Sequence, residues 1–196
     1  MQDADQDGRA LRRERNRAAV IDTVIALMDE GIFDPAVIDI VQRSHVSERS
    51  IFRYFDHLDD LRHAVIARIL ERGAPLLSLD ALTGLAVDER IRGFVAARVR
   101  LWELQCHAAR LARSREHHVP TIAEDLRRFR DLLRLQTAEL FGPELQALAR
   151  RERDHVLGTI FVLSSFESWD LHSRVLGWQP PQIERSLTLA IRALVP

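Results

Sequence analysis

The sequence predicts an all-α protein, with an N-terminal three-helix helix-turn-helix domain followed by a larger C-terminal helical domain. Apolar residues recur three and four positions apart through most of the 196 residues, which is the period of an amphipathic helix. Runs in which Val, Ile and Thr alternate with polar residues are missing, and glycine and proline number only 8 and 7. Two short amphipathic segments with a tight turn between them, within residues 36–61, indicate the helix-turn-helix.

The composition is that of a globular protein, with 46% hydrophobic and 29% charged residues. A formal net charge of −1 gives no general attraction to polyanions, so nucleic-acid binding would need a local basic surface. The basic residues are all arginine, which suits bidentate contacts to phosphate or guanine. One cysteine, Cys106, excludes an intrachain disulfide. Without a signal peptide or an apolar run of roughly 18–20 residues, we expect a cytoplasmic protein with no membrane partner.

The first helix is predicted from Arg9 to Glu30, after a polar tail over residues 1–8 that has little to bury and is predicted to be disordered. Gly31 ends this helix, as glycine often does. Its apolar face comprises Val20, Ile21, Val24, Ile25, Leu27 and Met28.

The second helix is predicted to begin near Pro35, with Asp34 as its N-cap. It ends before His45, a residue type that tolerates the left-handed conformation of a turn. Ser47 then caps a third helix that runs to about Tyr54. The predicted small core of this motif comprises Ile40, Val46, Ile51, Phe52 and Phe55.

A fourth helix and four further helical stretches complete the chain. We place the helix-turn-helix domain at 9–57, a connecting helix at 58–73 and a C-terminal helical domain at 74–196, which opens with an irregular stretch containing proline and glycine. One long helix is predicted from about Arg150 to Leu176, before a break at Gly177.

The third helix has an exposed side suited to DNA. Arg49 can donate two hydrogen bonds to guanine, Glu48 can accept one from cytosine, and Ser50 suits either kind of base. Backbone groups near a helix N-terminus and flanking arginines suit phosphate contacts, which fix register. A solvated helical face of mixed charge is the alternative interpretation. The predicted DNA-binding residues are Arg43, Ser47, Glu48, Arg49, Ser50, Arg53 and Tyr54.

The run VSERSIFRYFDHLDDL resembles the signature of the TetR/AcrR family of transcriptional regulators, and the resemblance covers roughly residues 12–66. It rests on the Val-Ser pair, the hydroxyl residue three positions after Ser47, the aromatic pair Tyr54-Phe55 and the Leu six residues later. The resemblance implies a homodimer that reads a roughly palindromic operator in double-stranded DNA, and a small-molecule effector that releases a repressor from it. The same resemblance implies that the C-terminal domain would bind the ligand and form the dimer.

Three positions depart from the family's usual pattern. Ala36 stands where a phosphate-contacting Thr or Ser is common, His45 replaces a turn glycine, and Leu58 replaces a lysine near the DNA backbone. The departures leave open whether DNA binding is weakened. A regulator-like helical protein-interaction module, with weakened or lost DNA binding, is therefore the second hypothesis.

The resemblance also implies where a ligand and a partner subunit would bind. An apolar or amphipathic effector is expected, because no set of polar residues indicates another ligand class. Ordinary core packing is the alternative for every residue of both sets. The candidate pocket residues are Trp102, Cys106, Phe129 and Phe161. The candidate dimer-interface residues, on the last two long helices, are Phe166, Trp169, Ile183, Leu187, Ile191 and Leu194.

Metal and enzyme functions are not expected. The adjacent pair His117-His118 diverges by about 100° on a helix, and the spacing of a helical zinc site is missing. A glycine-rich phosphate loop and a nucleophile with a neighbouring base are missing as well. We therefore predict no cofactor, no metal and no catalytic residue.

Overall fold

The structure is a computed structural model that describes residues 2–196, with side chains described for residue 8 and residues 10–196. Over this range there are nine α-helices and no strand, which confirms the predicted all-α class. No helix in the described range is long and apolar enough to cross a membrane. The helices are α1 (Gln2–Asp29), α2 (Val37–Ser44), α3 (Glu48–Tyr54), α4 (Leu58–Gly73), α5 (Val87–Arg115), α6 (Pro120–Phe141), α7 (Arg150–Leu163), α8 (Phe166–Asp170) and α9 (Pro180–Leu194).

The end of α1 follows the prediction. The six apolar side chains of its predicted inner face are at most 7% exposed. Gly31 adopts φ +95°, and its N–H donates to the carbonyl of Met28 while the N–H of Ile32 donates to that of Leu27. This pair of bonds satisfies the last carbonyls of the helix and needs a left-handed residue, which glycine adopts without steric cost.

The start of α1 differs from the prediction. The helix begins at Gln2, where a disordered tail over residues 1–8 was expected; Met1 lies outside the described residues. The segment contains no proline, and a helix that is already nucleated gains one hydrogen bond for each residue that it adds.

The predicted N-cap of α2 is also corrected. Ala36 occupies that position, and its N–H donates to Asp39 Oδ2 at 3.0 Å. The carboxylate of Asp34 instead accepts from Arg62 Nε at 2.9 Å and from Arg115 Nη2 at 2.8 Å. Hydrogen bonds between two charged groups are stronger than a bond to a neutral backbone N–H, so the guanidinium groups hold this carboxylate.

Two apolar cores hold the chain together, and the first of them includes side chains from beyond residue 74. We call α1–α3 the head and α5–α9 the body; α4 connects them. The head core is built from α1–α4 and is completed by side chains from α5 and α6. These contributed residues are Ala108, Leu111, Ala112, Ile122 and Leu126. A second core lies within the body and receives the inner face of α9.

The single helix predicted from Arg150 to Leu176 is wrong, because the chain breaks at Ser164–Ser165. Ser164 Oγ donates to the carbonyl of Ile160 at 2.8 Å, and Ser165 Oγ accepts from the N–H of Ser168 as the N-cap of α8. Serine side chains that bond to nearby backbone compete with continued helix. A π-helical turn, Leu171–Val175, then runs on from α8 towards the predicted break at Gly177, where φ is +65°.

Candidate nucleic-acid interface

The turn between α2 and α3 has the predicted conformation. His45 adopts φ 56° and its N–H donates to the carbonyl of Val41 at 3.1 Å. Ser47 is the N-cap of α3, and its Oγ accepts from the N–H of Ser50 at 3.3 Å. The turn therefore gives α3 a capped N-terminus at the protein surface.

The two sides of α3 differ in the way a DNA-reading helix requires. Ile51 is 0% exposed and Phe55 3% exposed, so they attach the helix to the head core. Phe52 was predicted to join them but is 42% exposed. Consecutive helical residues are rotated by about 100°, which turns Phe52 away from the side that Ile51 buries.

Arg49 and Glu48 are the outward-facing residues best suited to contact bases. Both are exposed, and within residues 10–196 neither side chain makes an ion pair or a hydrogen bond. Ser50 is only half-buried, and its hydroxyl lies 3.0 Å from that of Ser47. The two charged side chains are thus available for contacts outside the chain, whereas the two hydroxyls already engage each other.

Tyr54 is held against α1 and is 9% exposed. Its hydroxyl accepts from Asn16 Nδ2 at 3.3 Å and from Arg53 Nη2 at 3.4 Å. These hydrogen bonds, with the nearby charges of Arg53 and Arg13, lower the pKa of Tyr54. Because the hydroxyl accepts both bonds, its own hydrogen is not used by either of them. The sequence alone gave no sign of the role of Asn16.

Arginines of α1 extend the basic surface beside α3. Arg13 Nη2 lies 3.5 Å from the carbonyl of Arg53, which brings the exposed residues 10–15 of α1 next to the end of α3. The Arg17 guanidinium lies 5.0 Å from the ring centre of Phe55. Arginines of α1 and α3 therefore lie together at this surface, although Arg17 is also 3.8 Å from the carboxylate of Glu14.

Arg43 lies near the surface but is already paired. Its Nη2 donates to the carboxylate of Glu30 at the end of α1, and both side chains are about half exposed. Of the seven residues predicted to bind DNA, it is the one whose charge another side chain neutralises. A phosphate would have to compete with Glu30 for it.

The head is fastened to the body by charged contacts that the sequence did not indicate. Asp34 binds Arg62 of α4 and Arg115 of α5. Burial by itself would raise the pKa of Asp34, but the hydrogen bonds and charges of the two arginines outweigh it and lower the pKa. Nearby, His63 Nε2 lies 2.6 Å from Asp125 Oδ2, which joins α4 to α6.

Three of the four candidate pocket residues come together. Trp102, Phe129 and Phe161 line a cleft of about 270 Å³ between α5, α6 and α7. Trp102 is 2% exposed and its Nε1 donates to the carbonyl of Ser164 at 2.9 Å. Cys106 lies outside this lining; it is half-buried, and burial raises the pKa of its thiol.

The candidate dimer residues point inwards. Five of them, Phe166, Trp169, Ile183, Leu187 and Ile191, are at most 5% exposed and belong to the body core. Leu194 is partly buried against the same core. A side chain that is buried within its own chain has little surface left for a partner, so the stripe on α9 serves intrachain packing.

The fold is similar to that of a transcriptional regulator from Rhodococcus sp. Rha1. Its crystal structure aligns with a TM-score of 0.69 and 16% sequence identity, over 93% of this chain and 95% of that chain. A scan against protein-family models gave no match, and a sequence search of curated proteins gave none. At this identity the likeness shows a shared fold.

Proposed function

We propose that this chain is a dimeric, sequence-specific DNA-binding transcriptional regulator of the TetR type, and a repressor released by a small molecule. The observation that carries the proposal is α3 itself. Its buried side fastens it to the head core, while Arg49 and Glu48 are exposed beside its capped N-terminus. The similarity to the Rhodococcus regulator over nearly the whole chain supports the same role.

The residues divide by the part of DNA that each would contact. Arg49 and Glu48 would read base edges in the major groove, since a guanidinium pairs with guanine and a carboxylate accepts from cytosine. The N–H groups beside Ser47, with Arg53 and Tyr54, would contact phosphates and set the register. Ser50 would support the cap more than the bases, because its hydroxyl faces that of Ser47.

A homodimer would place two such helices on successive turns of DNA, about 34–36 Å apart. With the stripe on α9 buried, the interface is better assigned to the large apolar side chains left exposed in the last quarter of the chain. These are Val162, Leu171, Val175, Leu176 and Leu189, each more than half exposed. Exposed apolar groups of this kind are typical of subunit interfaces.

The effector would be apolar or amphipathic and would enter among α5, α6 and α7. The cleft beside Trp102, Phe129 and Phe161 supports this location, because its walls are mostly aromatic and aliphatic. Its binding would lower operator affinity by favouring a different spacing of the two heads.

An electrophoretic mobility shift with DNA from upstream of the chain's own coding sequence tests the proposal. Replacing Arg49 with alanine removes a base contact and should weaken binding by about 10- to 100-fold, or roughly 1–3 kcal/mol. Affinity should also fall steeply with salt, because each neutralised phosphate releases counterions.

Arg151→Ala is the matched control, since Arg151 is exposed at the start of α7 and lies outside the head. It should bind as the wild type does. If the wild type binds no DNA from that region at low salt, or if Arg49→Ala and Arg151→Ala bind equally, sequence reading by α3 is excluded. The interaction-module hypothesis would then be preferred.

A further inference from the structure

Arg98, on the inner side of α5, is a charged residue inside the body without a counter-charge. Its side chain is 1% exposed, and within residues 10–196 no carboxylate forms an ion pair with it. Other largely buried arginines are paired, as Arg90 is with Glu144 and Arg110 with Asp170. Burial lowers the pKa of Arg98 to about 10, so the guanidinium still carries its charge at neutral pH.

The contacts of Arg98 leave part of its guanidinium unsatisfied. Nη2 donates to Gln136 Oε1 at 2.8 Å, and the guanidinium lies 5.0 Å from the ring centre of Phe94. Nη1 is buried and has no hydrogen-bond partner. An ordered water could accept one hydrogen bond there, but only an anion would offset the cost of burying the charge.

A cleft of about 360 Å³ lies between the segment after α4 and helices α5 and α6, and the hydrogen-bond partner of Arg98 lines it. Gln136 forms part of its wall and separates it from Arg98, while its Nε2 donates to the carbonyl of Leu77 at 2.9 Å. Rotation of the Gln136 side chain would break its hydrogen bond with Arg98 and so free Nη2 for a ligand in the cleft. Leu77, Leu79 and Leu140 give the cleft apolar walls.

We propose that this cleft binds a small monocarboxylate with an apolar body, whose carboxylate pairs with Arg98. A planar carboxylate matches the guanidinium fork and can take the place of the Gln136 amide oxygen. Asp80, Glu139 and Arg90 also line the cleft, and Arg90 is paired with Glu144. The negative charges of Asp80 and Glu139 disfavour ligands with more than one negative charge, such as phosphate. The site is independent of the proposed DNA-binding function, because it concerns binding of a small anion and requires no DNA.

Thermal unfolding with benzoate and hexanoate, with benzamide as a neutral molecule of the same shape as benzoate, tests this site. At about ten times Kd, either carboxylate should raise the unfolding midpoint of the wild type by about 3 °C or more, and calorimetry should give a stoichiometry near one per chain. Benzamide and inorganic phosphate should produce no comparable shift.

Two variants and one control test whether benzoate binds at Arg98. Arg98→Met removes the charge at similar volume and should weaken benzoate binding by about tenfold or more. Gln136→Glu places a carboxylate beside Arg98 within the chain and should abolish the benzoate response while leaving Arg98 in place. Arg100→Met, an exposed arginine of the same helix, is the control and should respond as the wild type does.

The proposal is overturned if neither carboxylate shifts the wild type at millimolar concentration, or if benzamide or phosphate shifts it equally. It also fails if Arg98→Met binds benzoate as tightly as Arg100→Met does. If Arg98→Met does not fold, an unchanged benzoate response in Gln136→Glu overturns it in the same way.

Discussion

The outer side of α3 and the inner side of α5 use arginine in opposite ways. Arg49 is exposed and its charge is solvated, so it costs the folded chain little. Arg98 is 1% exposed and without a counter-charge, so it lowers the stability of the folded chain at all times. The comparison teaches that an unpaired charged group can lie outside at small cost, or inside at a cost that the remaining core must offset.

The largest loss of stability is expected at the side chain that attaches α3 to the head core. Ile51→Ala deletes a 0% exposed side chain and should lower the free energy of unfolding by about 2–4 kcal/mol, through lost burial and a residual cavity. Urea unfolding followed by circular dichroism measures it. Phe52→Ala, at the neighbouring 42% exposed position, should cost clearly less. Equal losses would contradict the orientation of α3 described above.

At Arg98, on the inner side of α5, a substitution should raise the free energy of unfolding instead of lowering it. Arg98→Met replaces a buried charge with an apolar side chain of similar length and should raise the free energy of unfolding by about 1–3 kcal/mol in the absence of ligand. Urea midpoints of this variant and of Arg100→Met make the comparison. A loss of stability in Arg98→Met alone would mean that the guanidinium is better compensated than its contacts indicate.

The two N-caps of the head should respond in opposite directions. Ser47→Ala removes an oxygen that accepts from the N–H of Ser50 and should cost about 1 kcal/mol. Ala36→Ser should add about 0.5–1 kcal/mol, because it completes a capping box of which only the Asp39 half exists. Thermal midpoints of both variants check this, and a stabilising Ser47→Ala would contradict the cap.

The smallest effect is expected at Asp34. Its pKa is lower in the folded chain than in the unfolded chain, so its contribution is complete above the unfolded value, ordinarily about 4, and is lost as pH falls through the folded value. The side chain is 43% exposed, so solvent screening limits the contribution to less than about 1 kcal/mol.

Urea midpoints at pH 7 and pH 3 for the wild type and Asp34→Asn separate the contribution of Asp34 to stability from that of the other carboxylates. The wild type should lose slightly more stability than the variant between the two pH values. An identical loss in both chains would mean that the pairing of Asp34 with Arg62 and Arg115 contributes nothing.

The parts of the fold that follow from the sequence are those governed by neighbouring residues. The ending of α1 at Gly31, the left-handed turn at His45 and the cap at Ser47 are local, since each depends on the conformational freedom or hydrogen bonding of one residue. The apolar period likewise predicted which side of α1 is buried.

The parts of the fold that could not be predicted from the sequence depend on residues far apart in the chain. Asp34 looked like a cap because Pro35 follows it, and only the tertiary fold brings Arg115 to it from 81 positions away. The α9 stripe had two possible partners, the body core or a second subunit, and periodicity cannot distinguish them. Arg98 did leave a signal, since it occupies an apolar position between Phe94 and Trp102 on α5.

The contribution of α5 and α6 to the head core bears on how such chains can be recombined. An exchange of heads between two chains of this fold that cuts at residue 74 would leave the donor head without the side chains of Leu111 and Ile122 that close its core. The unit that can be transplanted intact is therefore discontinuous in sequence. A successful chimaera must carry the head together with the facing ends of two body helices.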